Sequence, residues 1–231
     1  MPQFQEYAMQ PIAHIHSEFA EKFGIPRQSG LVEELEADVV FEPAYRNPNA
    51  LRGLEEFSHI WLVWVFDRAI REKWSPTVRP PRLGGNARMG VFATRSPFRP
   101  NPIGLSCVRL AGIRQTAEGA VLRVQGADLA DGTPILDIKP YIPYADSRPD
   151  ALGGFAAVPA GETLHVTIPP ELLERVPPAR REALRGVLAQ DPRPHYQKDP
   201  GRVYGFPFAG LEIRFSVDGT ELTVRDIQKI R

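Results

Sequence analysis

Short runs of alternating apolar and polar residues recur along the first two thirds of the chain. A period of two residues predicts β-strands, and β-branched and aromatic residues fill these runs. Turn residues separate them, such as the glycines at 84–85 and the Asp-Gly pair at 131–132. The pattern predicts strands over seven segments, namely 13–17, 37–41, 59–66, 89–94, 104–110, 120–126 and 134–142.

Regular helical patterns are missing between these predicted strands. Parallel sheets need a long crossover, usually a helix, between successive strands, so this order favours an antiparallel barrel or sandwich. Residues 145–162 are rich in Gly, Ala and Pro and predict a linker or a long loop. We therefore expect a mainly β protein whose strand-rich part comes first.

The last third of the chain mixes helical and strand patterns. Residues 163–168 predict a strand, and residues 177–190 predict a helix with a short apolar face. An Asp-Gly-Thr turn joins 211–217 to 221–225, which predicts a hairpin. These elements predict a smaller α+β unit over residues 163–231.

The composition is that of a globular protein without net charge. The 231 residues are 42% hydrophobic and carry 28 basic and 28 acidic side chains. A chain of this length buries a core without disulfides, and its single cysteine, Cys107, excludes an internal disulfide. The N-terminus has no signal-peptide pattern, and the apolar run 60–66 is too short to span a bilayer. We expect a cytoplasmic protein.

Basic residues are concentrated in one segment. Residues 73–117 carry eight basic side chains and no acidic one, whereas acids gather elsewhere, as at 33–38. Seven of the eight are arginines, and the guanidinium group binds phosphate and carboxylate oxygens through paired hydrogen bonds. The segment therefore predicts a positive face that binds such groups, unless each arginine is only a solvated loop charge.

The sequence carries no fingerprint of the common cofactor and metal sites. It has no Gly-rich dinucleotide motif, no P-loop and no serine nucleophile elbow. His14 and His16 share one face of a predicted strand, but no third ligand accompanies them, so we expect no metal site. A cofactor of this protein is therefore not held by a doubly wound α/β sheet.

Two stretches carry ligand-binding chemistry. Residues 81–106 combine arginines with prolines, which stiffen the backbone, and with glycines, which let a flat ligand approach closely. Residues 127–147 supply carboxylates that accept hydrogen bonds from hydroxyl or ammonium groups, although Asp128 and Asp131 alternatively organise the turn before Gly132. Together they predict a site for a small zwitterionic or nucleotide-like ligand, and residue chemistry alone does not name the reaction.

Four stretches resemble the TsaA-like, or YaeB/TrmO, family. They are 53–61 (GLEEFSHIW), 79–106 (RPPRLGGNARMGVFATRSPFRPNPIGLS), 128–147 (DLADGTPILDIKPYIPYADS) and 188–194 (LAQDPRP). The resemblance implies a β-barrel, non-Rossmann methyltransferase domain over 8–148, a small C-terminal domain over 163–231, and a homodimer. It also implies methylation by S-adenosylmethionine (SAM) of N6 of threonylcarbamoyladenosine 37, next to the anticodon of threonine tRNAs.

By this resemblance, several separate segments contact the cofactor. Arg95 or Arg27 is expected to bind the methionine carboxylate, and Asp128 or Asp131 to accept hydrogen bonds from the ribose hydroxyls or the ammonium group. Leu105 is expected to pack on the adenine. The complete expected set is Pro26, Arg27, Gln28, Asp67, Arg68, Arg95, Leu105, Asp128, Leu129, Asp131, Gly132, Thr133, Pro134 and Ile135.

On the RNA side we expect phosphate contacts from Arg79, Arg82, Arg88 and Arg99. Lys198 and Arg202 are expected to extend that surface, and Phe98, Tyr196 and Tyr204 are candidates for stacking on loop bases or for ordinary packing. His59 and Asp137 are the candidate bases, and neither is assigned a catalytic role. Two alternatives stay open: a methyltransferase of this fold with another substrate, and a SAM- or RNA-binding module without catalysis.

Overall fold

The structure is a computed structural model that describes residues 6–157, 163–193, 199 and 201–230. Strands dominate these residues, as the alternating pattern predicts. The strands are β1 (Ala13–His16), β2 (Glu36–Phe41), β3 (His59–Val65), β4 (Thr77–Val78), β5 (Met89–Gly90), β6 (Ile103–Thr116), β7 (Gly119–Gln125), β8 (Pro134–Pro140), β9 (His165–Thr167), β10 (Tyr204–Phe208), β11 (Leu211–Asp218) and β12 (Glu221–Lys229).

Helices are short, and many begin with proline, whose fixed φ and missing N–H suit a first helical turn. Within the described part of the chain, none is long and apolar enough to cross a membrane. The α-helices are α1 (Pro143–Asp146), α2 (Pro170–Leu173) and α3 (Arg181–Ala189), and 3₁₀ turns cover Pro43–Tyr45, Pro48–Leu51, Leu54–Glu56, Asp67–Ala69, Pro81–Leu83, Val91–Ala93, Gly154–Ala156 and Pro178–Arg180.

Six strands form an antiparallel sheet in the order β1–β2–β7–β6–β3–β8. The order returns to its start because Ala13 of β1 pairs with Phe41 of β2 on one side and with Ile135 of β8 on the other. This pairing is that of a closed barrel, so each of the six strands has a partner on both edges. The predicted mainly β, antiparallel architecture is confirmed.

Alternation along these strands fills the interior of the closed sheet. Ile60 and Leu62 on β3 and Leu122 on β7 are fully buried. On β3 the residues that alternate with them are exposed or only partly buried. Ser106 on β6 is also fully buried, although its hydroxyl is polar. A buried hydroxyl needs hydrogen-bond partners, and the partners of Ser106 lead to the candidate site.

The second sheet has the order β10–β11–β12–β9, and α3 packs beside it. Its core contains side chains from the sheet and from α3, such as Phe206 and Leu184. The same core also includes Phe19, Val32 and Leu35, which come from the chain between β1 and β2. The first part of the sequence therefore contributes to both cores.

Some predicted elements differ from the observed ones. The predicted strand 89–94 is wrong beyond Gly90, because the amide and hydroxyl of Thr94 both donate to the Val91 carbonyl and close a 3₁₀ turn. The predicted helix 177–190 is confirmed only from Arg181, since its first residues form a 3₁₀ turn. Strand β10 was not predicted because its Gly and Pro are typical of strand breaks.

Candidate functional site

A polar cluster lies where β6 meets the chain that follows β7. The Ser106 hydroxyl donates to Asp128 Oδ1 at 2.5 Å, and Trp64 Nε1 donates to Ser106 Oγ at 3.0 Å. Arg95 donates from Nη1 to Gln28 Oε1, and its positive charge acts on Asp128. We call these five residues the Asp128 cluster. It joins the arginine-bearing stretch, the aspartate-bearing stretch and the segment around Gln28.

Asp128 is the titratable centre of the cluster. Burial raises the pKa of its carboxyl, because desolvation disfavours the charged form. The hydrogen bond from Ser106, backbone N–H groups and the charge of Arg95 oppose that shift. The Asp128 carboxylate thus accepts hydrogen bonds from Ser106 and from backbone N–H groups, and it lies within electrostatic range of the Arg95 guanidinium.

Arg27 lies beside the cluster. Its Nη2 donates to the backbone carbonyl of Asp191 at 3.5 Å. Burial lowers the pKa of the Arg27 guanidinium, and the nearby charge of Arg82 acts in the same direction while Asp191 opposes it. Since an arginine keeps its charge in proteins, this shift marks a crowded positive region. The predicted phosphate-binding Arg82 is therefore an electrostatic neighbour of the predicted cofactor segment.

Asp131 and Arg68 hold the loop before β8 in place. Arg68 donates to the carbonyls of Ala20 and Asp131, both at 2.8 Å. Asp131 Oδ1 accepts from the Ser17 amide at 3.2 Å, and the Thr133 hydroxyl donates to a backbone carbonyl of the same loop. The Asp131 carboxylate therefore connects this loop to the end of β1 through His16 and Ser17, and Asp128 is the carboxylate of the cluster.

The other predicted cofactor residues divide by burial. Pro26, Leu129, Thr133 and Ile135 are buried. Asp67 and Gly132 are exposed, and Pro134 is partly buried. Leu105 is 55% exposed on β6. Because successive strand residues face opposite sides, Leu105 lies on the other face of the sheet from Ser106.

The arginines predicted to contact phosphate lie on the β4–β5 hairpin and just after it. Arg79, Arg82 and Arg88 belong to the loop that joins the two strands, and Arg79 and Arg88 are exposed. Arg99 is partly buried and donates to the Thr94 carbonyl at 3.1 Å. The hairpin therefore presents exposed positive charge, while Arg99 also supports its own loop.

The residues expected to stack on bases or to extend the RNA surface lie in different surroundings. Tyr204 is buried and stacks on Phe215, with ring centroids 5.6 Å apart, so ordinary packing is confirmed as the correct one of its two alternatives. The Arg71 guanidinium covers the Phe98 ring at 3.5 Å. Arg202 is exposed. Tyr196 and Lys198 lie outside the residues that the structure describes.

The two candidate bases have other partners than the Asp128 cluster. His59 Nδ1 shares a hydrogen bond with the Ser58 hydroxyl at 2.9 Å. Asp137 forms an ion pair with Lys139 at 2.9 Å. Within the described residues, no group of three or more His, Cys, Asp or Glu side chains is placed to hold a metal ion.

Sequence reasoning missed Ser106, which donates to Asp128, and Trp64, which donates to Ser106. Ser106 lies within the predicted strand 104–110, but a serine within an apolar strand gives no sign of its hydrogen-bond partners. Their pairing needs β3 and β6 in register, with Leu62 opposite Ser106. That register is a tertiary property of the closed sheet.

Two family models match the chain in succession. The first, the tRNA-methyltransferase O N-terminal domain, matches residues 14–147. The second, the TrmO C-terminal domain, matches residues 162–230. These matches give the class of the protein, because its two parts are those of a tRNA methyltransferase of the TrmO type.

Relatives and a solved structure agree with this class over nearly the whole chain. A tRNA (adenine(37)-N6)-methyltransferase of Escherichia coli (strain K12) is 44% identical over 220 residues, covering 91% of this chain and 93% of the relative. A putative S-adenosylmethionine-dependent methyltransferase of Pseudomonas aeruginosa, RcsF, is 44% identical over 225 residues, covering 90% and 92%. A crystal structure of TrmO from P. aeruginosa has a TM-score of 0.81 at 35% identity and covers all of both chains. The chain belongs to the tRNA-methyltransferase O family.

Proposed function

We propose that this protein transfers a methyl group from SAM to N6 of adenosine 37 in tRNA. The observation that carries the proposal is the match to a tRNA (adenine(37)-N6)-methyltransferase along nine tenths of the chain. The arginine-rich β4–β5 hairpin and the Asp128 cluster support it. Arginines bind the phosphates of RNA, and a zwitterionic cofactor needs one positive and one negative side chain for its two charges. More specifically, we propose that the methylated nucleoside is threonylcarbamoyladenosine in threonine tRNAs.

The residues of the Asp128 cluster fit SAM by their donors and acceptors. The guanidinium of Arg95 suits the methionine carboxylate, with Arg27 next to it. The Asp128 carboxylate suits the ribose hydroxyls or the ammonium group. Leu105 is proposed to pack on the adenine. The exposed side chains of Arg95 and Gln28 are accessible to a ligand that enters from solvent.

The work of the protein in this reaction is alignment. When bound, SAM supplies an electrophilic methyl group on a sulfonium, and the leaving group departs neutral. The chain's own residues therefore need to orient the cofactor and the target nitrogen more than to exchange protons. We assign no base, since His59 and Asp137 engage Ser58 and Lys139.

We propose the following division and setting for the protein. Residues 8–148 form the barrel-type catalytic domain that binds SAM, and residues 163–231 form a small C-terminal domain. The protein acts as a homodimer in the cytoplasm and recognises the anticodon stem-loop of its tRNA.

Methyl transfer is tested with purified protein, radiolabelled SAM and tRNA that carries threonylcarbamoyladenosine 37. We expect label at N6 of that nucleoside, and we expect Arg95→Ala to weaken SAM binding about tenfold or more by calorimetry, since it removes a charged hydrogen-bond partner of the cofactor. Arg109→Ala is a matched control, because Arg109 is an exposed arginine on β6 outside the cluster.

Each part of the proposal has its own failing result. SAM and tRNA binding without transfer would identify a binding module, and transfer only to another RNA or protein would identify a methyltransferase with a different substrate. Unchanged SAM affinity in Arg95→Ala would remove Arg95 from the site while leaving the reaction in place.

A further inference from the structure

Two large aromatic side chains lie exposed and side by side. Trp74 is 51% exposed and Phe92 is 73% exposed. Their ring centroids are 6.1 Å apart, and the ring planes differ by 30°. Adjacent exposed aromatic rings mark a binding surface more often than a structural one, because burying them would stabilise the protein.

The β4–β5 hairpin fixes this pair. Thr77 pairs with Gly90 and Val78 with Met89, and the Val91 amide donates to the Pro76 carbonyl at 2.9 Å. These backbone bonds continue the hairpin toward both rings. The backbone, rather than burial of the rings, therefore sets where they lie, and such rigidity lowers the entropy lost on binding.

The charge around the pair selects the kind of ligand. From Lys73 onward the sequence carries no acidic residue until Glu118, and Glu72 is the acid on the other side. Arg88 donates to the Thr77 hydroxyl at 3.3 Å, which places a guanidinium on the same hairpin. Exposed aromatic rings among positive charges are the usual platform for unstacked bases of single-stranded RNA.

The hairpin also reaches the cofactor side of the molecule. Arg82, in the loop between β4 and β5, lies close enough to Arg27 to act on its charge. Arg27 belongs to the segment that places Gln28 against Arg95. The loop of the hairpin that carries the aromatic pair thus comes near the segment next to the Asp128 cluster.

We infer that Trp74 and Phe92 form a stacking site for an unpaired nucleobase of the tRNA, separate from the base that is methylated. This inference rests on the proposed function, because it takes the RNA of that function as the ligand. The exposed rings stack on the base, and the arginines of the hairpin bind the flanking phosphates. The site selects an RNA loop with an unstacked base rather than a regular duplex, in which bases are not accessible to side chains.

The test measures affinity for a synthetic anticodon stem-loop RNA by fluorescence anisotropy, without SAM. We expect Trp74→Ala and Phe92→Ala each to weaken binding about 5- to 100-fold, the range for loss of one base–aromatic stack. Trp74→Phe keeps a ring and should retain most of the affinity. Tyr144→Ala is the control, since Tyr144 is 88% exposed outside the basic segment.

A second measurement separates stacking from charge. Stacking adds no phosphate contact, so Trp74→Ala should leave the slope of log affinity against log salt unchanged, whereas Arg88→Ala should reduce that slope by about 0.7 to 1. Loop nucleotides are also replaced one at a time by abasic residues. At one loop position, the abasic RNA should bind the wild type only as tightly as the intact RNA binds Trp74→Ala. Trp74→Ala itself should bind the intact RNA and that abasic RNA equally.

Wild-type affinity in both alanine variants would overturn the inference, as would equal sensitivity of wild type and Trp74→Ala to every abasic position. Loss of self-association in sedimentation with RNA affinity unchanged would also overturn it, because the rings would then bind a second copy of the chain. None of these readouts needs methyl transfer. An absence of transfer would therefore count against the proposed function and leave this result interpretable.

Discussion

Ser106 shows how one buried hydroxyl connects the interior of the sheet to the surface cluster. It accepts a hydrogen bond from Trp64 and donates one to Asp128, so its hydroxyl proton has a defined direction. The Asp128 carboxylate is thereby oriented by the Ser106 hydroxyl, while the charge of Arg95 acts on it from a greater distance. Ser106 is a positioning residue in this arrangement.

We predict that Ser106→Ala destabilises the protein by about 1.5–3 kcal/mol at neutral pH, the usual value for a hydrogen bond to a charged group. Burial already raises the pKa of Asp128 in the folded state, and loss of the Ser106 hydrogen bond raises it further. A raised carboxyl pKa makes the folded state bind more protons than the unfolded state. Stability then falls as the pH rises from about 4, the unfolded pKa, through the folded pKa.

Urea unfolding at several pH values between 4 and 8 measures this effect. The difference between wild type and Ser106→Ala should be smallest near pH 4 and largest above the folded pKa of Asp128. In an Asp128→Asn background the pH dependence of that difference should disappear. A difference that is the same at every pH would show that Ser106 acts only by packing.

Individual site residues could be predicted only in part. Arg95 and Asp128 lie in stretches whose charge stands out in the sequence, whereas Gln28 was expected only from the family resemblance. The structure brings the three together. The same reasoning gave Asp131 equal weight, yet its carboxylate serves the backbone of Ser17. Which of the two contacts the cofactor stays a prediction. Their different partners follow from the loop conformation, which a residue type does not encode.

Where β6 pairs with β3, the position of Gly104 has no room for a side chain. A Cβ added at Gly104 would overlap the indole of Trp64, whose Nε1 donates to Ser106. The glycine therefore makes room for the ring that anchors the cluster. This requirement is steric, since the residue opposite Gly104 in the register is Trp64 itself.

Gly104→Ala is predicted to lower the free energy of unfolding by about 1–3 kcal/mol, because overpacking forces neighbouring side chains to shift. Displacement of Trp64 should also weaken SAM binding. Urea unfolding and calorimetry measure the two effects. Gly90→Ala is the control, since its Cβ would meet open space and its φ is −57°; an equal loss in both variants would contradict the steric argument.

The strands of the closed sheet were predictable because each carries its own alternating pattern, as β3 does over residues 59–65. The β4–β5 hairpin was not, because each of its strands has two residues and a period needs a longer run. The exposed rings at its base escaped prediction for the same reason. What the hairpin brings together depends on its pairing and not on the local sequence.

Arg180 links the two sheets through charge. Its Nε lies 2.5 Å from Glu18 Oε1, and its Nη1 lies 3.0 Å from Glu36 Oε2. Glu36 belongs to β2, and Arg180 directly precedes α3. All three side chains are about a quarter to a third exposed, so water screens these pairs less than it screens pairs on the open surface.

Arg180→Met is predicted to lower stability by about 1–3 kcal/mol, a value between those of exposed and buried ion pairs. Glu18 loses its ion pair with Arg180, and Glu36 keeps only its ion pair with Arg123. Thermal and urea unfolding provide the measurement. Arg185→Met removes an exposed pair with Glu182 at 3.7 Å and should change stability by less than about 0.5 kcal/mol. Matching losses in the two variants would refute a linking role for Arg180.

The apolar side chains of Phe19, Val32 and Leu35 precede β2 but are only 1–3% exposed, because they lie in the core of the second sheet. A homologue that ended near residue 150 would turn these three positions toward water. Such shortened chains should therefore carry polar amino acids there or bring another polypeptide to cover them. The amino acids at these three positions therefore indicate whether a related protein has kept the C-terminal unit.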